Sequence, residues 1–198
     1  MQISIAITLL PLATGCSVGT AEPSTTSAAV TTTEKDAWFV SGSRGEDYDV
    51  SVASDPADPG GRIRHLRSKP GVAGNGFGTM MQTFAADRYR GKRVRFSASV
   101  QSTDVTGWSG LWMRIDGPDR HKLGFDNMQS RPIVGTTPAT RYEVVLDVPV
   151  AAHGIALGVL LRGPGEVVLA SASVETVGMD VPVTSSAPTP APSDGFQP

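Results

Sequence analysis

The sequence predicts an all-β protein, an antiparallel jelly-roll β-sandwich, and three observations predict it. Apolar and polar residues alternate with a period of two in run after run, the pattern of a half-buried strand. The runs are separated by turn chemistry, in keeping with 22 Gly and 15 Pro among 198 residues. Between residues 37 and 178 almost no stretch carries the 3.6-residue period of an amphipathic helix.

The chain opens on a short apolar run, residues 3–13, broken by Pro11. It is too short to span a bilayer as a helix, which takes roughly 20 residues, and it has the length of a signal-peptide core. It leads into Leu12-Ala13-Thr14-Gly15-Cys16. Small residues ahead of a cysteine let a peptidase grip extended backbone closely, and the thiol is a nucleophile for thioether lipidation. The segment resembles the bacterial lipobox. Residues 1–15 are therefore expected to be a lipoprotein signal peptide and Cys16 the lipidated first residue of the mature chain. That places the protein at the outer face of the bacterial cytoplasmic membrane, in the cell envelope. Signal peptides carry a basic n-region, yet no Lys or Arg precedes Lys35, so a start upstream of Met1 is expected.

Residues 16–36 are rich in Ser, Thr, Ala and Val without either period, and read as a tether. The folded part is expected over residues 37–178. Within it Val94, Phe96, Ala98 and Val100 alternate with Arg93, Arg95, Ser97 and Ser99. Tyr142, Val144, Leu146 and Val148 alternate with Glu143, Val145 and Asp147. Ile155, Leu157, Val159 and Leu161 alternate with Ala156, Gly158 and Leu160. The inward set is expected to include Val94, Phe96, Leu111, Met113, Val144, Leu146, Leu157 and Val159. Breaks fall at Asp58-Pro59-Gly60-Gly61, Arg90-Gly91-Lys92, Asp116-Gly117-Pro118-Asp119 and Gly163-Pro164-Gly165. There Gly supplies positive φ, Pro a fixed φ and Asp a local backbone bond. Residues 179–198 are Pro- and Ser-rich and are expected to form a disordered tail.

Composition excludes several functions. A net charge of -2 with mixed signs lacks the basic footprint of a nucleic-acid binder. One cysteine permits no intramolecular disulfide. His65, His121 and His153 stand apart, at no metal-ligand spacing. Gly107-Trp108-Ser109-Gly110 runs into Leu111, so it is no nucleophile elbow. Asp55 and Asp58 could hold a structural calcium, but a turn explains the pair more simply. No cofactor is implied. A hydrolase reading has only scattered carboxylates, such as Asp116 and Asp126, behind it.

The segment from Trp108 to Asp116 is the most informative. As a strand it sends Leu111, Met113 and Ile115 to the core. It sends Trp108, Trp112, Arg114 and Asp116 the other way, with the two rings roughly 13 Å apart at ~3.3 Å per residue. Sugar sites use this mixture, an aromatic ring for CH faces and charged groups for hydroxyls. Two readings stay open: a ligand face, or a Trp112 packed in the fold beside an Arg114 paired with Asp116 or Asp126.

The order of elements resembles the galactose-binding-like jelly roll shared by many carbohydrate-binding modules. The similarity rests on the stretch from Phe84 to Ala98 with its Tyr89-Arg90-Gly91-Lys92 step, on Gly110-Leu111-Trp112-Met113-Arg114, on Tyr142 to Pro149, and on the closing run from Gly165 to Glu175. More narrowly, the stretch from Gly110 to Gly117, Phe125-Asp126-Asn127-Met128, Arg131-Pro132-Ile133 and Gly135-Thr136-Thr137 resemble a bacterial group of jelly-roll domains. These occur alone or appended to other proteins, including transcriptional regulators. The resemblance implies fold and brings no chemistry with it. It does set Asp126, Asn127 and Arg131 on the hairpin next to the Trp/Arg strand, as further candidate ligand groups. The expected function is a non-catalytic, surface-displayed binding module that recognises a glycan. The alternative is a structural lipoprotein that docks onto an envelope protein.

Overall fold

The structure, a computed structural model, describes residues 38–184 apart from 57 and 59. The chain divides into two units, residues 1–34 and 35–198, and every described residue belongs to the second. The expected signal peptide, Cys16, the tether and residues 185–198 lie outside the described residues.

Among the described residues there are nine strands: β1 (Phe39–Ser41), β2 (Tyr48–Ser54), β3 (Arg62–Ser68), β4 (Phe77–Ala85), β5 (Lys92–Asp116), β6 (Lys122–Asp126), β7 (Ile133–Val148), β8 (Gly154–Arg162) and β9 (Glu166–Val177). Every pairing is antiparallel. The hydrogen-bonded path runs β1-β4-β8-β5-β9-β3-β2, with β6 and β7 also on β5. This is the all-β sandwich that the alternation predicts.

The 25-residue strand β5 belongs to both layers. Residues 92–103 lie between β7 and β9, whereas residues 108–116 pair with β8 and residues 113–116 also with β6. Between the two halves the register with β7 shifts three times, from Val100 to Ser109. Asp104 adopts a left-handed φ of 49°, and Gly107 runs so close to the Arg162 carbonyl that a Cβ there would collide with it. Bulges of this kind bend a strand and let it change sheets.

All eight residues expected inward are at most 2 % exposed. They pack with Leu66, Met80, Ile115 and Leu169 into one core. Tyr48 closes one end, its hydroxyl taking the Gly163 N–H at 3.1 Å and its ring lying against Gly78.

Two expectations need correction. Val145 alternates outward in the sequence yet is fully buried. Its carbonyl accepts from the Thr184 N–H at 2.9 Å, and its N–H donates to Thr184 Oγ1 at 2.8 Å. Arg93 Nη1 also donates to the carbonyls of Met179 and Val181, at 2.9 and 2.6 Å. Residues 179–184, assigned to the tail by composition, are thus docked on β7 and β5. The segment was misread because it is bound through backbone groups and one Thr hydroxyl, which low complexity does not prevent. The Asp55–Gly61 stretch is a turn, with Asp58 N–H on the Asp55 carbonyl and Gly60 and Gly61 N–H on the Asp58 carbonyl.

Candidate functional site

Register builds the site. On β5, Trp108 pairs with Arg162 of β8, Trp112 with Gly158 and Arg114 with Ala156. On β4, Phe77 pairs with Arg162, Thr79 with Leu160 and Met81 with Gly158. On β1, Phe39 pairs with Met81 and Ser41 with Thr79. On β6, Phe125 pairs with Arg114. Alternate residues of a strand share a face, so these side chains all project from one face of the β1-β4-β8-β5-β6 layer. All but Ala156 and Gly158 line a cleft of about 670 Å³.

Trp112 forms its floor. It is 7 % exposed and packs with Met81, Ala156 and Leu160, flanked by Trp108 and Phe125. The indole Nε1–H donates to Thr79 Oγ1 at 2.7 Å. The Thr79 hydroxyl in turn donates to the Val159 carbonyl at 2.9 Å. The hydroxyl hydrogen is thereby committed and a lone pair is left for the indole, which fixes the ring plane. Opposite Trp112 stands Gly158, where any Cβ would strike the β4 backbone at Met80. The two readings of Trp112 therefore merge. It is a packed residue with one edge open to the cleft, while the half-buried Trp108 offers more ring surface.

Arg114 is held on the same face by Asp116, through Nε to Oδ1 at 2.8 Å and Nη2 to Oδ2 at 3.0 Å. Asp116 touches the cleft only through this pair. Asn127 lines the cleft, and its Oδ1 accepts from the Gln129 N–H at 3.1 Å. Asp126 and Arg131 depart from expectation. With Phe125 facing the cleft, Asp126 points inward and is 7 % exposed. It accepts from the Met128 N–H at 2.8 Å and from Arg131 Nη2 at 2.6 Å. Arg131 also reaches the Glu143 carbonyl at 3.1 Å. This pair braces the loop after β6, where Met128 has a φ of 59°, and neither residue lines the cleft.

Sequence reasoning missed Phe39, Phe77, Asn75, Gln129 and Arg162, which complete the walls. Phe39 and Phe77 are 46 % and 36 % exposed, unusual for rings in a folded domain. The aromatic Phe77 directly after the Gly74-Asn75-Gly76 loop was the one available signal. Lys122 sets its Nζ 5.0 Å from the Phe125 ring centroid.

The histidines lie elsewhere. His65 Nδ1 and Glu166 Oε1 are 2.8 Å apart, and Arg67 Nη2 donates to Glu166 Oε2 at 2.6 Å. Burial alone would raise the Glu166 carboxyl, but the bonds from His65 and Arg67 outweigh it and hold it below the usual carboxylate range. Among the described residues, no group of three or more His, Cys, Asp or Glu is placed to hold a metal ion.

No protein-family profile matches the chain. Over 148 residues, 75 % of this chain and 50 % of the other, it is 39 % identical to the "Uncharacterized HTH-type transcriptional regulator YbfP" of Bacillus subtilis. The chain thus spans about half the length of that curated relative. Among solved structures it is similar to the CBM22-1-GH10 modules of Clostridium thermocellum xylanase 10B, complexed with xylohexaose. That match has a TM-score of 0.52 and 13 % identity over 75 % of this chain and 27 % of that one. It is also similar to the CBM22-1 xylan-binding domain of Paenibacillus barcinonensis Xyn10C, with a TM-score of 0.50 and 9 % identity over 72 % of this chain and 87 % of that one. The chain accordingly has the β-sandwich fold found in carbohydrate-binding modules.

Proposed function

We propose that this chain is a non-catalytic binding module whose cleft takes a glycan, displayed at the envelope through a lipid on Cys16. The observation that carries the reading is the cleft itself. Aromatic rings from β1, β4, β5 and β6 face one concave space, and polar groups with spare capacity stand among them: Arg114, Arg162, Asn75 and Gln129. A sugar presents flat CH surfaces edged by hydroxyls, and this lining matches both parts. The fold shared with xylan-binding modules agrees with the reading, though fold alone does not carry it. A likeness to half of a transcriptional regulator fits a ligand-reading domain used in two settings.

A second reading has its own support. Phe39 and Phe77 are exposed rings on the lining of the cleft, an apolar surface that would also suit docking on an envelope protein. Calorimetry against a panel of neutral and acidic oligosaccharides separates the two. A glycan should bind, and Trp108→Ala should weaken that binding by more than about 1 kcal/mol, as expected of an aromatic anchor. No binding by any glycan, or equal binding by the variant, would leave the docking reading in its place.

A further inference from the structure

We infer that the cleft selects acidic saccharides, chains bearing uronate carboxylates, over neutral ones. The inference rests on the glycan-binding reading above. The chain as a whole is net negative, at -2, yet the charged residues lining the cleft are Arg114 and Arg162, with no carboxylate among the described lining. Arg162 is exposed, and its Nε donates to the Gly74 carbonyl at 3.2 Å. Its two terminal nitrogens remain available to a ligand. Arg114 is steadied by Asp116 through Nε and Nη2, which leaves Nη1 for a ligand. Lys122 adds a third cation over the Phe125 ring. The nearby Arg44, whose side chain runs beside Gly76, adds little, because Glu46 and Asp47 each hold it at 2.9 Å.

The spacing makes the argument specific. Arg162 pairs with Trp108, and Arg114 lies six residues further along β5. At ~3.3 Å per residue the two guanidinium-bearing positions are about 20 Å apart along the strand. Trp108, Trp112 and Phe125 occupy the face between and beside them. A uronate chain offers pyranose faces for the rings and carboxylates that accept a guanidinium fork. A neutral chain can offer Arg162 only hydroxyls, whereas a carboxylate brings an opposite charge and two oxygens that accept parallel bonds from the guanidinium fork.

The test uses matched pairs. Oligogalacturonate, oligoglucuronate and oligomannuronate are each titrated beside their carboxyl-reduced counterparts, with poly(glycerol phosphate) as a separate arm. At least one uronate should bind about tenfold or more tightly than its reduced form, in line with a charge-assisted hydrogen bond. The preference should shrink as salt is raised. Arg162→Gln, with its melting temperature checked, should bring the pair to within about twofold. Reduced chains binding as tightly as uronates would overturn the inference and leave the glycan reading standing. Preference for poly(glycerol phosphate) would overturn it in favour of a phosphate polymer. No binding in any arm would overturn both.

Discussion

At the scale of single residues, the Trp112–Thr79 pair joins the cleft to the fold. Trp112→Ala removes a ring that is 7 % exposed and leaves a hole under the cleft. It should cost roughly 3–5 kcal/mol in denaturant unfolding, the range for a buried aromatic. A cost below about 1 kcal/mol would mean the ring is a surface platform after all. Trp108, Trp112 and Arg114 could be assigned to one face from the sequence because period-2 alternation is a local rule, and Asn127 was set beside them by the resemblance. The resemblance misplaced Asp126. Polar residues are expected to face outward, and only the facing of Phe125 shows that its neighbour must turn in, where Arg131 offsets its charge. Phe39 and Arg162 could not be assigned from the sequence, because pairing along β1-β4-β8-β5 joins positions far apart in the chain.

At the scale of elements, the runs in β5, β7 and β8 were legible as strands, but the corner in β5 was not. Nothing in a hydrophobicity pattern marks the change of layer within residues 100–109, where the register shifts and Asp104 turns left-handed. The C-terminal boundary was lost for a related reason. Residues 179–184 hold on to Val145 and Arg93 through backbone groups and the Thr184 hydroxyl, and such bonding leaves little compositional trace. A chain ending at Gly178 should therefore be less stable than one ending at Thr184, by about 1–3 kcal/mol, because the buried groups at Val145 lose their partners. Thermal unfolding of the two chains checks this. Equal melting temperatures would show that the segment contributes nothing.

At the scale of the whole molecule, the proposed anchor at Cys16 precedes the described domain in sequence and can be tested apart from the cleft. Cys16→Ser should leave the protein in the soluble fraction, or as a precursor of unchanged length, when membranes are separated and blotted. Normal processing with unchanged membrane partition would sink the anchoring reading. The strand shared by both layers has one more consequence, in the order of events as the chain is made. β5 bonds only to β6, β7, β8 and β9, all of which follow it. Ahead of it only β1 with β4 and β2 with β3 can pair among themselves. Neither layer can close until β8 and β9 have emerged, and contacts so remote in sequence form slowly. The two layers therefore close only once β9 has been made, and the pairs formed before it are left without a complete sandwich to pack into.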